Sequence, residues 1–282
     1  MGRLERLSLM AILAHPDDES FGNGGTLAKY ADEGVFTCLV MATRGEAGEI
    51  SDPALATPDT LGHVREQELR LAASILGLKE LRFLDYVDGT LALIDQRECE
   101  AKMVRAIREV KPHVVFTFGP EGVYGHPDHV ALSRMATVAF DLAGKRSAYP
   151  EQFKDGLQPW SPLKLYYVAA PRERFRRMGE LAMQLLPHTS WADRDWTSFG
   201  VPEARITTCI DVSDHVEAKL SAIAAHQTQL AQNHPYALLP RDLLKQFLGK
   251  ECYVLAKSRV GQPPSRERDL FWGIRDAVQS RE

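Results

Sequence analysis

Short unbroken apolar runs alternate along this chain with longer stretches in which apolar residues recur every three or four positions. No other feature of the 282 residues restricts the fold as strongly. Residues 7–14, 35–42, 81–84 and 114–118 are too short for helices and too continuously apolar for half-exposed strands, so they read as buried strands. Between them, residues 22–34, 63–76, 97–110 and 130–143 carry helical spacing. In 63–76 the stripe is Leu69, Ala72, Ala73 and Leu76, closed by Gly77, while Gly34 and Lys111-Pro112 close two others. Alternation of this length predicts an α/β fold, a doubly wound and mostly parallel Rossmann-like sheet flanked by helices.

The second half is less regular. Residues 163–169, 205–212 and 252–256 read as strands, and 172–186, 214–229 and 240–248 as helices. A loop over 187–202 contains Trp191 and Trp196, which read as anchors or as covers for a sugar ring. The expectation is one domain over 1–282, with a core at about 7–143 and 205–257. Residues 144–204 are expected to be a variable insertion, and 261–282 a polar tail.

Two of the predicted strands run directly into unusual polar segments. The first is His15-Pro16-Asp17-Asp18-Glu19 and the second is His126-Pro127-Asp128-His129. Any one of Asp17, Asp18 or Ser20 alone reads as a helix cap. The second cluster, with histidines at i and i+3 on one helical face, shifts the reading to a metal site. In open parallel sheets the carboxyl ends of the strands share one edge, and ligands bind where strand order reverses. Both segments are thereby brought to that edge. His15, Asp18 and His129 supply the two histidines and one carboxylate of a hydrolytic zinc site, with a position left for water. Iron(II), cobalt(II) and manganese(II) suit the same donors. Gly22, Gly24 and Gly25 do not match a dinucleotide loop and are read as a tight turn beneath the metal. His63, His113, His188, His215 and His234 lack a partner pattern and read as structural or surface residues.

Bulk properties narrow the partners. With 44% hydrophobic and 26% charged residues and a net charge of −4, the chain has no basic stripe for nucleic acid. No apolar run reaches the ~20 residues of a membrane span, and no signal peptide is evident, so a cytoplasmic location is expected. Cys38, Cys99, Cys209 and Cys252 form no CxxC pair and are expected to be reduced and buried. Nothing in the pattern decides between a monomer and a homo-oligomer.

The ordered set of motifs resembles the PIG-L (LmbE-like) family of zinc-dependent N-acetylglucosaminyl deacetylases and related amidases. The matching residues are Ala14 to Glu19, Gly24-Gly25, Thr43-Arg44-Gly45-Glu46, Arg65 with Glu66 and Glu68, Asp88-Gly89, Gly125 to His129, and Ala222, His226 and Gln229. The match covers most of 7–140 and returns near 205–230. The resemblance implies His15, Asp18 and His129 as metal ligands and Asp17 as general base. It further implies His126 as proton donor or oxyanion stabiliser, Asp128 as the residue orienting His126, and Tyr124 as a polariser of the carbonyl. Glu49, Arg65 and Asp88 would contact sugar hydroxyls, and His226 would line the pocket. The implied reaction is deacetylation of an N-acetylated amino sugar. Two alternatives stand beside it: an amidase for a larger amide of the mycothiol or bacillithiol conjugate type, and a non-catalytic sugar- or nucleotide-binding protein. A spare carboxylate at Asp17 favours catalysis over binding.

Overall fold

Ser8–Leu13 (β1) and Val114–Phe118 (β4) are buried at every residue, and Phe36–Met41 (β2) at all but the first. Strands with both faces covered by helices need such runs. In a computed structural model that describes residues 6–185, 195–196, 199–230, 234–263 and 265–275, they form the centre of a seven-stranded sheet. The order is β3-β2-β1-β4-β5-β7-β6, with β3 at Glu80–Phe83, β5 at Lys164–Ala169, β6 at Thr208–Asp211 and β7 at Lys250–Ser258. Strands β1 to β5 pair in parallel, and β7 runs antiparallel to both β5 and β6. The chain moves outward from β1 to β3, then crosses back to β4 and builds the other half. Strand order therefore reverses between β1 and β4, where a crevice opens at the carboxyl edge.

The helices are α1 (Asp18–Asp32), α2 (Leu61–Ile75), α3 (Gln96–Val110), the single turn α4 (Gly122–Gly125), α5 (Pro127–Leu142), α6 (Arg172–Leu185), α7 (Val216–Ala225), α8 (Pro235–Leu238) and α9 (Arg241–Leu248). In α2 the expected stripe is buried, and Gly77 follows at φ +72°. Asp95 caps α3 by accepting the Arg97 N–H at 2.8 Å.

Two helices start earlier than their apolar spacing indicates. Helix α1 begins at Asp18 rather than 22, so Gly22, Gly24 and Gly25 lie inside it and form no turn beneath a metal. Gly25 serves close packing instead, because a Cβ there would sit 2.6 Å from Val212 Cγ2. Helix α5 begins at Pro127, whose missing N–H costs nothing at the first helical position, with His126 as N-cap. Asp128 and His129 thereby fall on the first turn. Helix α7 ends at Ala225 rather than 229, which leaves His226 just beyond it.

Within 144–204 the strand expected at 163–169 is present as β5, between β4 and β7. Two expectations for the second half need correction. The tail is not simply polar: Leu270, Phe271 and Ile274 are fully buried, and Glu267 pairs with Lys164 beneath the sheet. Cys209 and Cys252 are not reduced thiols. They face each other on the antiparallel strands β6 and β7 with Cα atoms 4.1 Å apart, and they form a disulfide. Cys38 and Cys99 are free and buried, as expected. Among the described residues, no helix is long and apolar enough to cross a membrane. Trp191 and His188 lie outside the described residues.

Candidate active site

The turn after β1 places Asp17 at φ +116°, a left-handed conformation that costs a non-glycine residue about 1–3 kcal/mol. Side chains hold it there. The Asp17 N–H donates to Glu19 Oε2 at 3.0 Å, and the Asp17 carboxylate accepts from Arg65 Nη2 at 2.9 Å. Arg65 also donates to the carbonyls of Pro16 and Gly45, which clamps the turn from below. Gly45 permits this approach, because a Cβ there would lie 2.3 Å from Arg65 Nη1. The His15 N–H donates to Asp18 Oδ2 at 2.8 Å, which aims the Asp18 carboxylate back at the His15 ring.

After β4, the first turn of α5 delivers His129 beneath that ring. His129 stacks flat on Phe118, with centroids 3.9 Å apart, and its Nδ1 lies 3.3 Å from the Gly122 carbonyl. His15 Nε2 lies 2.9 Å from Asp88 Oδ1 and 3.3 Å from Asp128 Oδ2. Engagement of these outer nitrogens turns the second nitrogen of each ring inward. His15 Nδ1 and His129 Nε2 stand 3.2 Å apart, with Asp18 oxygens 3.6 and 3.4 Å from them. At that distance the two nitrogens share either a proton or a bound cation. In a tetrahedral site with bonds of about 2.0–2.2 Å, neighbouring donors lie about 3.3–3.6 Å apart, which matches these separations. The arrangement is a His/Asp group fit to hold a metal ion. His126 completes its wall, and ligating atoms of His15, His126 and His129 all fall within 4.8 Å of one another.

The local field favours positive charge at this point, as a proton on His15 when no metal ion is bound. Burial alone would lower the His15 pKa, yet the carboxylates of Asp128, Asp18 and Asp88 push it up to about 12. Burial acts to raise Asp18, but His129 and His15 hold it well below the usual carboxylate range. His129 is lowered, chiefly by burial. Asp17 behaves differently: burial raises it to about 7, and Arg65 only partly offsets this.

Two cavities meet at the cluster. A polar cleft of about 1050 Å³ is lined by His15, Asp17, Glu49, Asp88, His126 and Gln229. An apolar chamber of about 270 Å³ lies on the other side, against His129 and Phe118. Asp18, Phe21, Tyr124 and His234 line both.

Most predicted site residues come together here, while Asp128 and His226 meet other partners than expected. Asp128 is fully buried and orients His15, not His126: it accepts the Gly89 and Leu91 N–H groups and faces His15 Nε2, while only its backbone N–H reaches His126 Nδ1. Asp88 lies beside His15 as well, with a side chain only 8% exposed, and lines the cleft. Arg65 is buried under Asp17. His226 does not line the cleft; it is fully buried, with Nε2 2.7 Å from Glu19 Oε1. Each of these groups finds a charged partner nearer than solvent.

Glu49 is exposed at the cleft rim, and its carbonyl accepts from Gln229 Nε2 at 3.0 Å. The Tyr124 ring sits 5.4 Å from His129. Sequence reasoning missed the role of Glu19, which joins His226 to the Asp17 backbone. The available signal was a third carboxylate directly after Asp17-Asp18. It also missed His234, which lines both cavities although it was read as structural.

The family model described as PIG-L, GlcNAc-PI de-N-acetylase, matches residues 10–140. The chain is 36% identical to a 1D-myo-inositol 2-acetamido-2-deoxy-α-D-glucopyranoside deacetylase of Thermobispora bispora, over 94% of this chain and 98% of that one. It is 34% identical to a mycothiol S-conjugate amidase of Streptomyces coelicolor, over 96% and 99%. The N,N'-diacetylchitobiose deacetylase of Pyrococcus horikoshii shares the fold, with a TM-score of 0.61 at 23% identity over 86% of this chain and 75% of that one. With such identity over nearly its whole length, and with both motifs at the switch point, this chain belongs to the PIG-L (LmbE-like) family and is an amide-cleaving hydrolase.

Proposed function

We propose that the protein is a zinc-dependent deacetylase of an N-acetylated amino sugar, with an inositol-linked N-acetylglucosamine as the leading substrate. The observation that carries this reading is the convergence of His15 Nδ1 and His129 Nε2, 3.2 Å apart, with Asp18 oxygens 3.6 and 3.4 Å from them. His15 Nδ1, Asp18 and His129 Nε2 would hold the ion; iron(II), cobalt(II) and manganese(II) suit the same donors. Such an ion supplies Lewis acidity, which lets water lose a proton near neutral pH.

Asp17 takes that proton. Its carboxyl, raised to about 7 and fixed by Arg65, is matched to a base working near neutrality. His126, whose ring centroid is 4.9 Å from that of His15, donates a proton to the departing nitrogen, because an amide anion is too poor a leaving group. Tyr124 at the mouth stabilises the oxyanion. Asp88 and Asp128 fix the His15 ring with Nδ1 bare. Glu49 and Gln229 on the cleft rim face the sugar hydroxyls. The names of the relatives support the sugar and the acetyl group. The amidase relative and the chamber behind His129 favour a second reading, a larger amide.

The test is acetate release from the inositol-linked sugar by metal-stripped protein, with and without added zinc. Zinc-restored release that Asp17→Asn loses supports the reading. Zinc uptake without release moves the substrate to larger amides. We also propose a cytoplasmic location, in which the Cys209–Cys252 disulfide persists against a reducing milieu. Cell fractionation tests this: recovery with the cytosolic fraction supports it, and recovery from the exported fraction contradicts it.

A further inference from the structure

We infer that Glu19 and His226 are positioning residues for the hydrolysis: together they hold the Asp17 backbone in the conformation that aims its carboxylate into the cleft. The inference deepens the reading of Asp17 as the base and rests on it.

Asp17 stands at the N-cap of α1, where an aspartate ordinarily turns its carboxylate onto the N–H groups of the first helical turn. This one makes no such bond. Its φ of +116° swings the side chain off the helix, so the carboxylate lines the polar cleft and Oδ2 accepts from Arg65. A conformation of this kind persists only where the surroundings impose it.

Glu19 imposes it. Its Oε2 accepts the Asp17 N–H at 3.0 Å, while Oε1 accepts the Ser20 hydroxyl at 2.5 Å and lies 2.7 Å from His226 Nε2. Glu19, Ser20 and His226 are fully buried, so water does not compete for these bonds. A carboxylate in the interior needs a partner, and His226 is brought to it from just beyond α7, 207 residues along the chain. A pair that served stability alone would bond to the scaffold, as Glu267 does with Lys164, Tyr166 and Thr208. Glu19 bonds to the backbone of the residue that must meet the water. His226 also ties down the cleft wall, since its carbonyl accepts the N–H of Gln229 at 3.0 Å, and Gln229 lines the cleft. The two roles separate in kinetics: a loosened wall raises KM, whereas a displaced base lowers kcat.

The experiment measures kcat, KM and zinc content for the wild type, Glu19→Gln, Glu19→Asp, Asp17→Asn and the double variant Asp17→Asn/Glu19→Asp. The substrate is the inositol-linked N-acetylglucosamine or, should only a larger amide be cleaved, that amide. Glu19→Gln keeps the brace, because its amide oxygen can accept the Asp17 N–H while its NH2 donates to His226, and kcat should stay within about threefold. Glu19→Asp keeps the charge but is one methylene too short to reach both partners. Its kcat should fall about 10²-fold, as a misplacement of ~1 Å does, with KM within about twofold and zinc content unchanged, which shows that it folds. In the Asp17→Asn background the same change should cost less than about twofold, because no base is left to misplace. A Glu19→Asp variant with wild-type kcat, with only KM raised, or with zinc lost in step with the rate overturns the proposal and leaves the base standing. A full 10²-fold loss in the Asp17→Asn background, or a Glu19→Gln as impaired as Glu19→Asp, does the same. If Asp17→Asn turns over at the wild-type rate, or neither amide is cleaved, the reading of the base or of the hydrolase fails and the proposal falls with it.

Discussion

The switch-point cluster and the Lys164–Glu267 pair are both buried and charged, yet they are built to opposite ends. At Lys164 the accounts close: one ammonium meets one carboxylate, and Glu267 Oε2 also accepts the hydroxyls of Tyr166 and Thr208 at 2.7 Å each. At the switch point three carboxylates, Asp18, Asp88 and Asp128, surround His15, and two histidine nitrogens face each other 3.2 Å apart. Burial of charge occurs in both regions and does not by itself mark function. An excess of negative charge with converging lone pairs, opening onto a cavity, does.

That contrast is most easily broken by removing one carboxylate from each region. Asp18→Asn is expected to abolish metal uptake and drop kcat/KM at least ~10³-fold, because without the ion no group makes water acidic. Its metal-free form should lose less stability than the variant below, because the asparagine side chain can still accept the His15 N–H. Glu267→Ala should do the reverse. It strands the Lys164 ammonium in the interior, and denaturant melts should show a loss of about 3–5 kcal/mol with turnover per folded molecule nearly unchanged. Equal stability losses in the two variants would erase the distinction.

Asp17→Asn sharpens the comparison within the site. A base, unlike a ligand, can be lost with the metal retained, so kcat should fall about 10²–10⁴-fold at unchanged metal content. The raised carboxyl also sets the pH dependence. Asp17 acts ionised, so the wild-type rate should climb with pH on an acid limb that ends at about 7, and the variant should lose that limb. Asp128→Asn comes next, with metal affinity expected to fall about 10–100-fold, because the His15 ring loses part of its orientation. Metal titration of the purified variant checks this.

The smallest effect is on acid stability. Burial opposes ionisation of Asp128, but its bonds to His15, Gly89 and Leu91 hold the carboxyl below the usual range. A depressed folded pKa contributes stability above the unfolded value of about 3.9, lost as pH falls toward the folded one. Metal-free Asp128→Asn should therefore melt with a shallower pH dependence than the wild type below about pH 4.

Much of this was legible in the sequence, because its strands are buried on both faces and their apolar runs end where the motifs begin. Val114–Phe118 matches its apolar run residue for residue. Helix starts were harder. The glycines at 22, 24 and 25 look like breakers but lie inside α1, with Gly25 packed on Val212 and Gly24 on Lys219 and Leu76, and Pro127 looks like a turn but occupies the first position of α5. Which carboxylate meets which ring was not legible. Asp128 adjoins His126 in sequence but meets His15 in space, and His226 reaches Glu19 rather than the cleft. The disulfide escaped for the same reason, since Cys209 and Cys252 become neighbours only when β6 and β7 pair. Leu270, Phe271 and Ile274 were hidden in a tail dominated by charged residues.

The central claim is that His15, Asp18 and His129 enclose a divalent cation. Its most direct test is the zinc content of the purified protein after dialysis against trace zinc, measured beside His129→Ala. One equivalent per chain in the wild type, with less than about a tenth of that in the variant, is the predicted result. A wild type that retains no metal, or a variant that retains as much, would contradict it.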